Sequence, residues 1–180
     1  MQPLTRRAFF IATLVTGFVW IFISADRAGT STAGEIPAPR EGFLAPDFTL
    51  RNSEGETVTL SNLHGQAVLV NLWATWCPPC RAEMPAIQKM YDEYKDRGLV
   101  VLAINMTYQD NAAAVLPFTQ EYKLTFPILI DDTGDVGDKY ELRSLPSSFF
   151  INRDGFIQEV VIGGPMSEAL LRTRIEKILQ

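Results

Sequence analysis

The amino-acid sequence predicts an α/β domain, a mixed central sheet with helices on both faces, preceded by an apolar N-terminal segment. Three features carry that expectation. The runs Ala67 to Trp73 and Leu99 to Ile104 are continuously apolar rather than alternating, as in strands buried on both faces. Helical patterns separate these runs, and strand–helix–strand alternation points to parallel strands joined by crossovers. A hairpin and a closing helix follow near the carboxyl end, which adds antiparallel strands to the same sheet.

From the amino terminus, Ala8 to Ala25 (AFFIATLVTGFVWIFISA) carries no charge and is preceded by Arg6-Arg7. At about 1.5 Å per helical residue it is just long enough to cross a hydrocarbon core of about 30 Å. It is also longer than the apolar stretch of a usual cleavable signal. The arginines in front predict a cytoplasmic amino terminus and export of the chain beyond the apolar segment. Residues 1–28 therefore read as a transmembrane signal-anchor. A rival reading takes Thr5-Arg6-Arg7-Ala8-Phe9-Phe10 as a twin-arginine export signal cut near Ser31-Thr32-Ala33. Residues 29–42, rich in Gly, Pro, Ser and Thr without an apolar period, read as a flexible linker, and residues 43–180 as the folded domain.

Within that domain, Asp47-Phe48-Thr49-Leu50 and Thr57-Val58-Thr59-Leu60 flank the turn formers Asn52-Ser53-Glu54-Gly55 and predict a hairpin. Ser61 is placed to cap a short turn before Gly65. After the first buried strand, Met84, Ile87, Tyr91 and Tyr94 recur at helical spacing, and Gly98 ends the helix. Beyond the second buried strand, Asn111 to Tyr122 reads as a helix that Pro117 bends or splits. Pro127 to Ile130 comes next as a brief strand and Asp135 to Leu142 as a short helix. Ser148 to Asn152, the turn Arg153-Asp154-Gly155 and Phe156 to Ile162 predict the second hairpin. The last helix starts near Ser167 and turns Leu170, Leu171, Ile175, Ile178 and Leu179 inward.

Composition excludes several classes of function. The net charge is −5, and because Arg6, Arg7 and Arg27 outnumber Asp26 in the first 28 residues, the remainder stands at −7. Nucleic-acid recognition needs a basic face, so no nucleic-acid partner is expected. The chain has two cysteines and one histidine, His64. That is too few for a disulfide-stapled scaffold, and a four-ligand zinc site would have to be shared with another chain. No metal or other cofactor is expected. His64, before Gly65 and far from the cysteines, reads as a surface turn residue.

The chemistry concentrates in Trp73-Ala74-Thr75-Trp76-Cys77-Pro78-Pro79-Cys80, where a buried strand ends and a helix begins. A helix amino terminus favours negative charge, and the thiolate is the reactive form of cysteine, so Cys77 is placed to be the nucleophile. Pro78 and Pro79 lack the N–H that the first turn would leave unpaired, and they stiffen the loop between the two sulfurs. Cys80, a turn further in, should be the more buried thiol.

The run Trp-Ala-Thr-Trp-Cys-Pro-Pro-Cys-Arg-Ala-Glu-Met-Pro resembles the active site of the TlpA/ResA/CcmG-type thioredoxin-like proteins. The resemblance extends from Ala45-Pro46-Asp47-Phe48 through Leu145-Pro146 and Asn152-Arg153-Asp154-Gly155 to the last helix. It implies a thioredoxin-like fold with an N-terminal hairpin, a central insertion and an N-terminal transmembrane helix. It also implies a redox-active disulfide between Cys77 and Cys80. Where thioredoxins carry a buried Asp, this chain has Asn71, which cannot ionise, and Glu83 stands where ResA-like proteins keep a glutamate near the cysteines. Glu83 is then the modulator of the thiols and the proton carrier for Cys80, the alternative being a solvated helix glutamate. Pro85 matches the proline that kinks the helix. Leu145-Pro146 matches the cis-proline that presents backbone to the substrate, and Trp76 is the better surface candidate of Trp73 and Trp76.

The function so implied is an extracytoplasmic thiol-disulfide oxidoreductase that reduces protein disulfides, with apocytochrome c thiols as an example. The electrons would come from a CcdA/DsbD-type transmembrane donor. Three other readings stay open: a disulfide-forming oxidant, a peroxiredoxin and a membrane-tethered binding or chaperone module. The peroxiredoxin reading draws on Ala45-Pro46-Asp47-Phe48-Thr49-Leu50, which also opens that family. Against it, Ala74 occupies the place, three residues before Cys77, that peroxiredoxins give to Thr.

Overall fold

A computed structural model describes residues 36–180. The predicted signal-anchor, the twin-arginine motif and the candidate cleavage site all lie outside the described residues. Among the described residues, no helix is long and apolar enough to cross a membrane.

The sheet has seven strands: β1 (Thr49–Asn52), β2 (Thr57–Thr59), β3 (Ala67–Trp73), β4 (Leu99–Asn105), β5 (Ile128–Ile130), β6 (Ser147–Ile151) and β7 (Ile157–Ile162). Their order across the sheet is β2-β1-β5-β4-β3-β6-β7. β3 pairs parallel with β4, and β4 with β5, while the other neighbours are antiparallel. The sheet is therefore mixed, as predicted. The helices are α1 (Pro78–Tyr94), α2 (Ala112–Glu121), α3 (Asp135–Lys139) and α4 (Glu168–Ile178).

Every residue of β3 is buried, because apolar cores lie on both sides of it. Ala67, Leu69 and Trp73 face the core shared with α1, α2 and α4. Val68, Val70 and Leu72 face a second core with Tyr140 and Phe149. Burying each Val or Leu side chain stabilises by about 1.5–3 kcal/mol, so both faces of the strand contribute. The same pleat turns Asn71 toward the α1 side, which decides where its amide lies.

Several boundaries differ from expectation for identifiable reasons. Asp47 and Phe48 precede β1 rather than belong to it, because Asp47 Oδ1 accepts the N–H groups of Phe48 and Ser61. Ser61 thus does not cap the turn at Leu60–Leu63; Asp47 satisfies its N–H from across the hairpin. Pro117 sits inside α2 without splitting it, and Asn111 caps that helix by accepting the Ala113 N–H. α1 likewise runs unbroken through Pro85. α3 stops at Lys139, followed by Glu141 at φ 48°. In α4, Leu171, Ile175 and Ile178 form the buried stripe, and Leu170 is exposed because it lies off that single face. The segment entering the domain is tied to it: Gly42 N–H donates to the Ile157 carbonyl, and Glu41 Oε1 accepts from Val160 N–H.

Candidate active site

Cys77 and Cys80 form a disulfide, with the two Cα atoms 5.3 Å apart. Cys77 is the N-cap of α1, and Pro78 and Pro79 supply its first positions. Cys77 Sγ accepts the backbone N–H of Cys80 at 3.3 Å, one of the donors that a helix start leaves free. The same N–H and the dipole behind it would stabilise a Cys77 thiolate. Cys80 is completely buried and Cys77 nearly so, at 2% exposure.

Glu83 is fully buried on the inward face of α1, which removes the reading of a solvated glutamate. Its Oε1 accepts from Asn71 Nδ2 at 2.9 Å and its Oε2 from Met166 N–H at 3.1 Å. Burial pushes the carboxyl above the usual glutamate range, and these two hydrogen bonds oppose the rise. Cys80 lies three residues earlier on the same helix, so the two share a face. Burial thus makes this acid hold its proton more tightly than an exposed glutamate does.

The Leu145–Pro146 peptide bond is cis. Pro146 is buried, and its carbonyl accepts the Gly163 N–H at 2.7 Å. A Cβ on Gly164 would lie 2.8 Å from both Glu83 Oε2 and Pro146 Cγ, so bare backbone passes between the acid and the proline. Beside the cysteines, Trp76, Cys77, Tyr108, Arg143 and Leu145 line an open groove of about 410 Å³. Trp76 is 56% exposed and its Nε1–H donates to the Gln109 carbonyl at 3.1 Å. Trp73 is core, packed against Phe118 at 4.7 Å between ring centroids.

A carboxylate that the motif alone does not point to holds the loop before Cys77. Asp110, after β4, accepts from Thr75 N–H, Thr75 Oγ1–H, Asn105 Nδ2 and Asn111 N–H. Burial raises the Asp110 carboxyl, but these bonds outweigh it and leave it below the usual range. Arg81 adds a further brace: it stacks over Phe118 and Tyr122 while donating to the Thr75 carbonyl. Sequence reasoning does not select Ser148, Met166 or Gly164 either. Ser148 is a polar residue in an apolar strand, but only the register Asn71↔Ser148 shows its partner. His64 is exposed in its turn against Gly155, away from the site. Among the described residues no cluster of three or more His, Cys, Asp or Glu could hold a metal ion.

Comparison with known proteins agrees with this geometry. The family model described as "AhpC/TSA family" matches residues 42–160. The thiol-disulfide oxidoreductase ResA of Oceanobacillus iheyensis is 42% identical over 144 residues, covering 78% of this chain and 71% of that protein. Among solved structures, StoA from Bacillus subtilis is 32% identical with a TM-score of 0.63, over 72% of this chain and 96% of that one. The exposed lipoprotein thioredoxin Etrx1 of Streptococcus pneumoniae is 26% identical with a TM-score of 0.62, over 73% and 99% of the two chains.

Proposed function

This chain belongs to the AhpC/TSA family, with a thioredoxin-like fold, and is a thiol-disulfide oxidoreductase of the ResA-like kind; from that premise we propose that it reduces protein disulfides outside the cytoplasm. The observation that carries the reading is the buried Glu83 one helical turn from Cys80, at the start of a helix whose N-cap is Cys77. In the reduced protein the Cys77 thiolate attacks a substrate disulfide, forming a mixed disulfide and releasing one substrate thiolate. Cys80 gives its proton to Glu83 and attacks Cys77 Sγ. The second substrate thiolate leaves, and the Cys77–Cys80 disulfide holds the oxidising equivalents: two electrons have passed to the substrate. Leu145 and Trp76 line the groove against which the extended substrate chain lies, and the buried Pro146 behind Leu145 sets the course of the backbone there.

The N-terminal apolar segment acts as a single-pass anchor with its amino terminus in the cytoplasm, and the residues between it and the segment tied down at Ala38–Gly42 space the domain from the membrane. Arg6-Arg7 before that segment support this orientation. Reducing equivalents then arrive through a CcdA/DsbD-type membrane donor, and the substrates include the CxxCH thiols of apocytochrome c. The test is to trap substrates with Cys80→Ser after export in the native host. Recovery of c-type apocytochromes as mixed disulfides with Cys77 is the expected result. A reduction potential at the oxidising end of the superfamily would overturn the direction of electron flow.

A peroxidase reading has two supports, the name of the matching family and the Ala45-Pro46-Asp47-Phe48 opening. Its chemistry would need a hydroxyl turned toward the reactive cysteine. Ala74 has none, and the Thr75 hydroxyl donates to Asp110 instead. Negligible peroxide turnover by Cys80→Ser is the expected outcome.

A further inference from the structure

Asn71 lies in β3 with its side chain fully buried on the α1 side of the sheet. Its Nδ2 donates two hydrogen bonds, to Glu83 Oε1 and to Ser148 Oγ, each at 2.9 Å. Its Oδ1, equally buried, has no partner. Buried polar atoms are nearly always paired, so an orphaned carbonyl oxygen on an amide whose nitrogen is fully used calls for a reason.

Glu83 supplies one. Its two oxygens face Nδ2 of Asn71 and N–H of Met166, both donors, which suits a carboxylate. A neutral carboxylic acid has a proton to give, and neither donor can take it. Among the described residues no Lys, Arg or His pairs with Glu83. The titratable group on its own helix face is Cys80, one turn earlier on α1. The groups that the structure shows against its carboxyl are uncharged: Asn71 from β3, and Gly164 and Met166 from the loop before α4.

A half-turn about the Cβ–Cγ bond of Asn71 would place Oδ1 where Nδ2 now stands, between Glu83 and Ser148. There one lone pair accepts from Glu83 O–H and the other from Ser148 O–H, whose hydroxyl rotates from acceptor to donor. We propose that Asn71 is a positioning residue for thiol exchange, its side-chain amide turning over so that Glu83 and Ser148 are satisfied in either protonation state. The oxygen left unpaired now is the atom used in the other state, where the two N–H of Nδ2 stand unpaired in its place, so the turned amide is the costlier arrangement. An Asp at this position would titrate and repel Glu83. The amide serves both states without changing charge, so the proton is shared only between Glu83 and the thiols. This inference rests on the reading of Glu83 as proton carrier for Cys80.

The test uses the full-length oxidised protein in detergent micelles, where neither cysteine titrates. Magnetic resonance of the Glu83 carboxyl carbon and the Asn71 side-chain amide is followed against pH. Expected is one shared midpoint in the wild type, and an Asn71 amide insensitive to pH over that range in Glu83→Gln. Asn71→Leu, similar in size but apolar, should raise the Glu83 midpoint by about one pH unit, the size of one lost hydrogen bond to a charged acceptor. Ser148→Ala should shift the midpoint less. An Asn71 amide that ignores the titration of Glu83 would overturn the proposal, and that measurement needs no variant to fold. The underlying role of Glu83 fails separately, if reduced Glu83→Gln exchanges thiols with the wild-type pH profile.

Discussion

Asp110 holds Thr75 twice, at 2.6 Å from its backbone N–H and at 2.6 Å from its hydroxyl, across 35 residues of chain. Thr75 is two residues before Cys77, so the position of Cys77 depends on a loop after a different strand. Asp110→Ala should destabilise the domain by roughly 2 kcal/mol, since hydrogen bonds to a charged acceptor contribute about 1.5–3 kcal/mol each and part of the loss is recovered by water. The folded-state pKa is depressed, so this stabilisation is complete above the ordinary Asp value near 3.8 and is lost as pH falls through the lower folded value. Urea unfolding of wild type and variant, compared at neutral and acid pH, checks both size and sign. Equal stabilities at neutral pH would show that the clamp is unimportant.

Much of this arrangement is legible in the sequence because it depends on local signals. β3 can be read to its ends, since a strand buried on both faces has no polar residues except where chemistry needs one. Cys77, Pro78 and Pro79 announce the helix start that the structure has. Periodicity misplaces Leu170 because adjacent Leu170 and Leu171 both suit an inward face, and only packing decides between them. Asp110, Ser148 and Met166 cannot be read, because their roles come from register and loop closure, which no local period encodes. Glu83 is half legible: helix spacing puts it on the face of Cys80, but only the loop from Gly163 to Met166 buries it.

Replacing Glu83 by Gln should separate stability from function. The raised pKa of Glu83, due first to burial, means that the folded protein holds its proton more tightly than the unfolded chain does. The stability it contributes is therefore complete below the ordinary value near 4.5 and is lost as pH rises through the folded value. Gln carries no charge at any pH. Glu83→Gln should thus be more stable than wild type in neutral and alkaline solution, with no advantage in acid. Thermal unfolding across that range measures the difference. An advantage that does not vary with pH would mean that the buried charge is not its source.

Trp76 should matter for protein substrates and not for small ones. Its ring is more than half exposed beside Tyr108 and Arg143, on the groove that opens at Cys77. Trp76→Ala removes a large contact surface from the groove while leaving the sulfur chemistry in place. Loss of an aromatic contact at an interface costs about 1–2 kcal/mol, so KM for a protein disulfide should rise about tenfold. Turnover of a small aromatic disulfide should be unchanged. If both substrates lose rate equally, Trp76 acts on the loop geometry through its bond to Gln109 and not on recognition.

Gly164→Ala tests whether the acid and the cis-proline must be in close register. An added Cβ meets Glu83 Oε2 and Pro146 Cγ at 2.8 Å, below ordinary contact distance. Both neighbours are held from other directions: Glu83 by Asn71 and Met166, and Pro146 by the Gly163 N–H on its carbonyl. Neither can yield without losing a hydrogen bond, so overpacking should cost about 1–3 kcal/mol. Gly163, one residue earlier, separates this contact effect from backbone strain. Its φ of 87° makes Ala strained there, although an added Cβ would meet nothing within 4 Å. Gly163→Ala should therefore lose stability while keeping the pH profile of thiol exchange. Gly164→Ala should lose stability and also shift that profile, because it moves the carboxylate itself. Matching profiles in the two variants would mean that the close approach at Gly164 shapes the fold and not the acid.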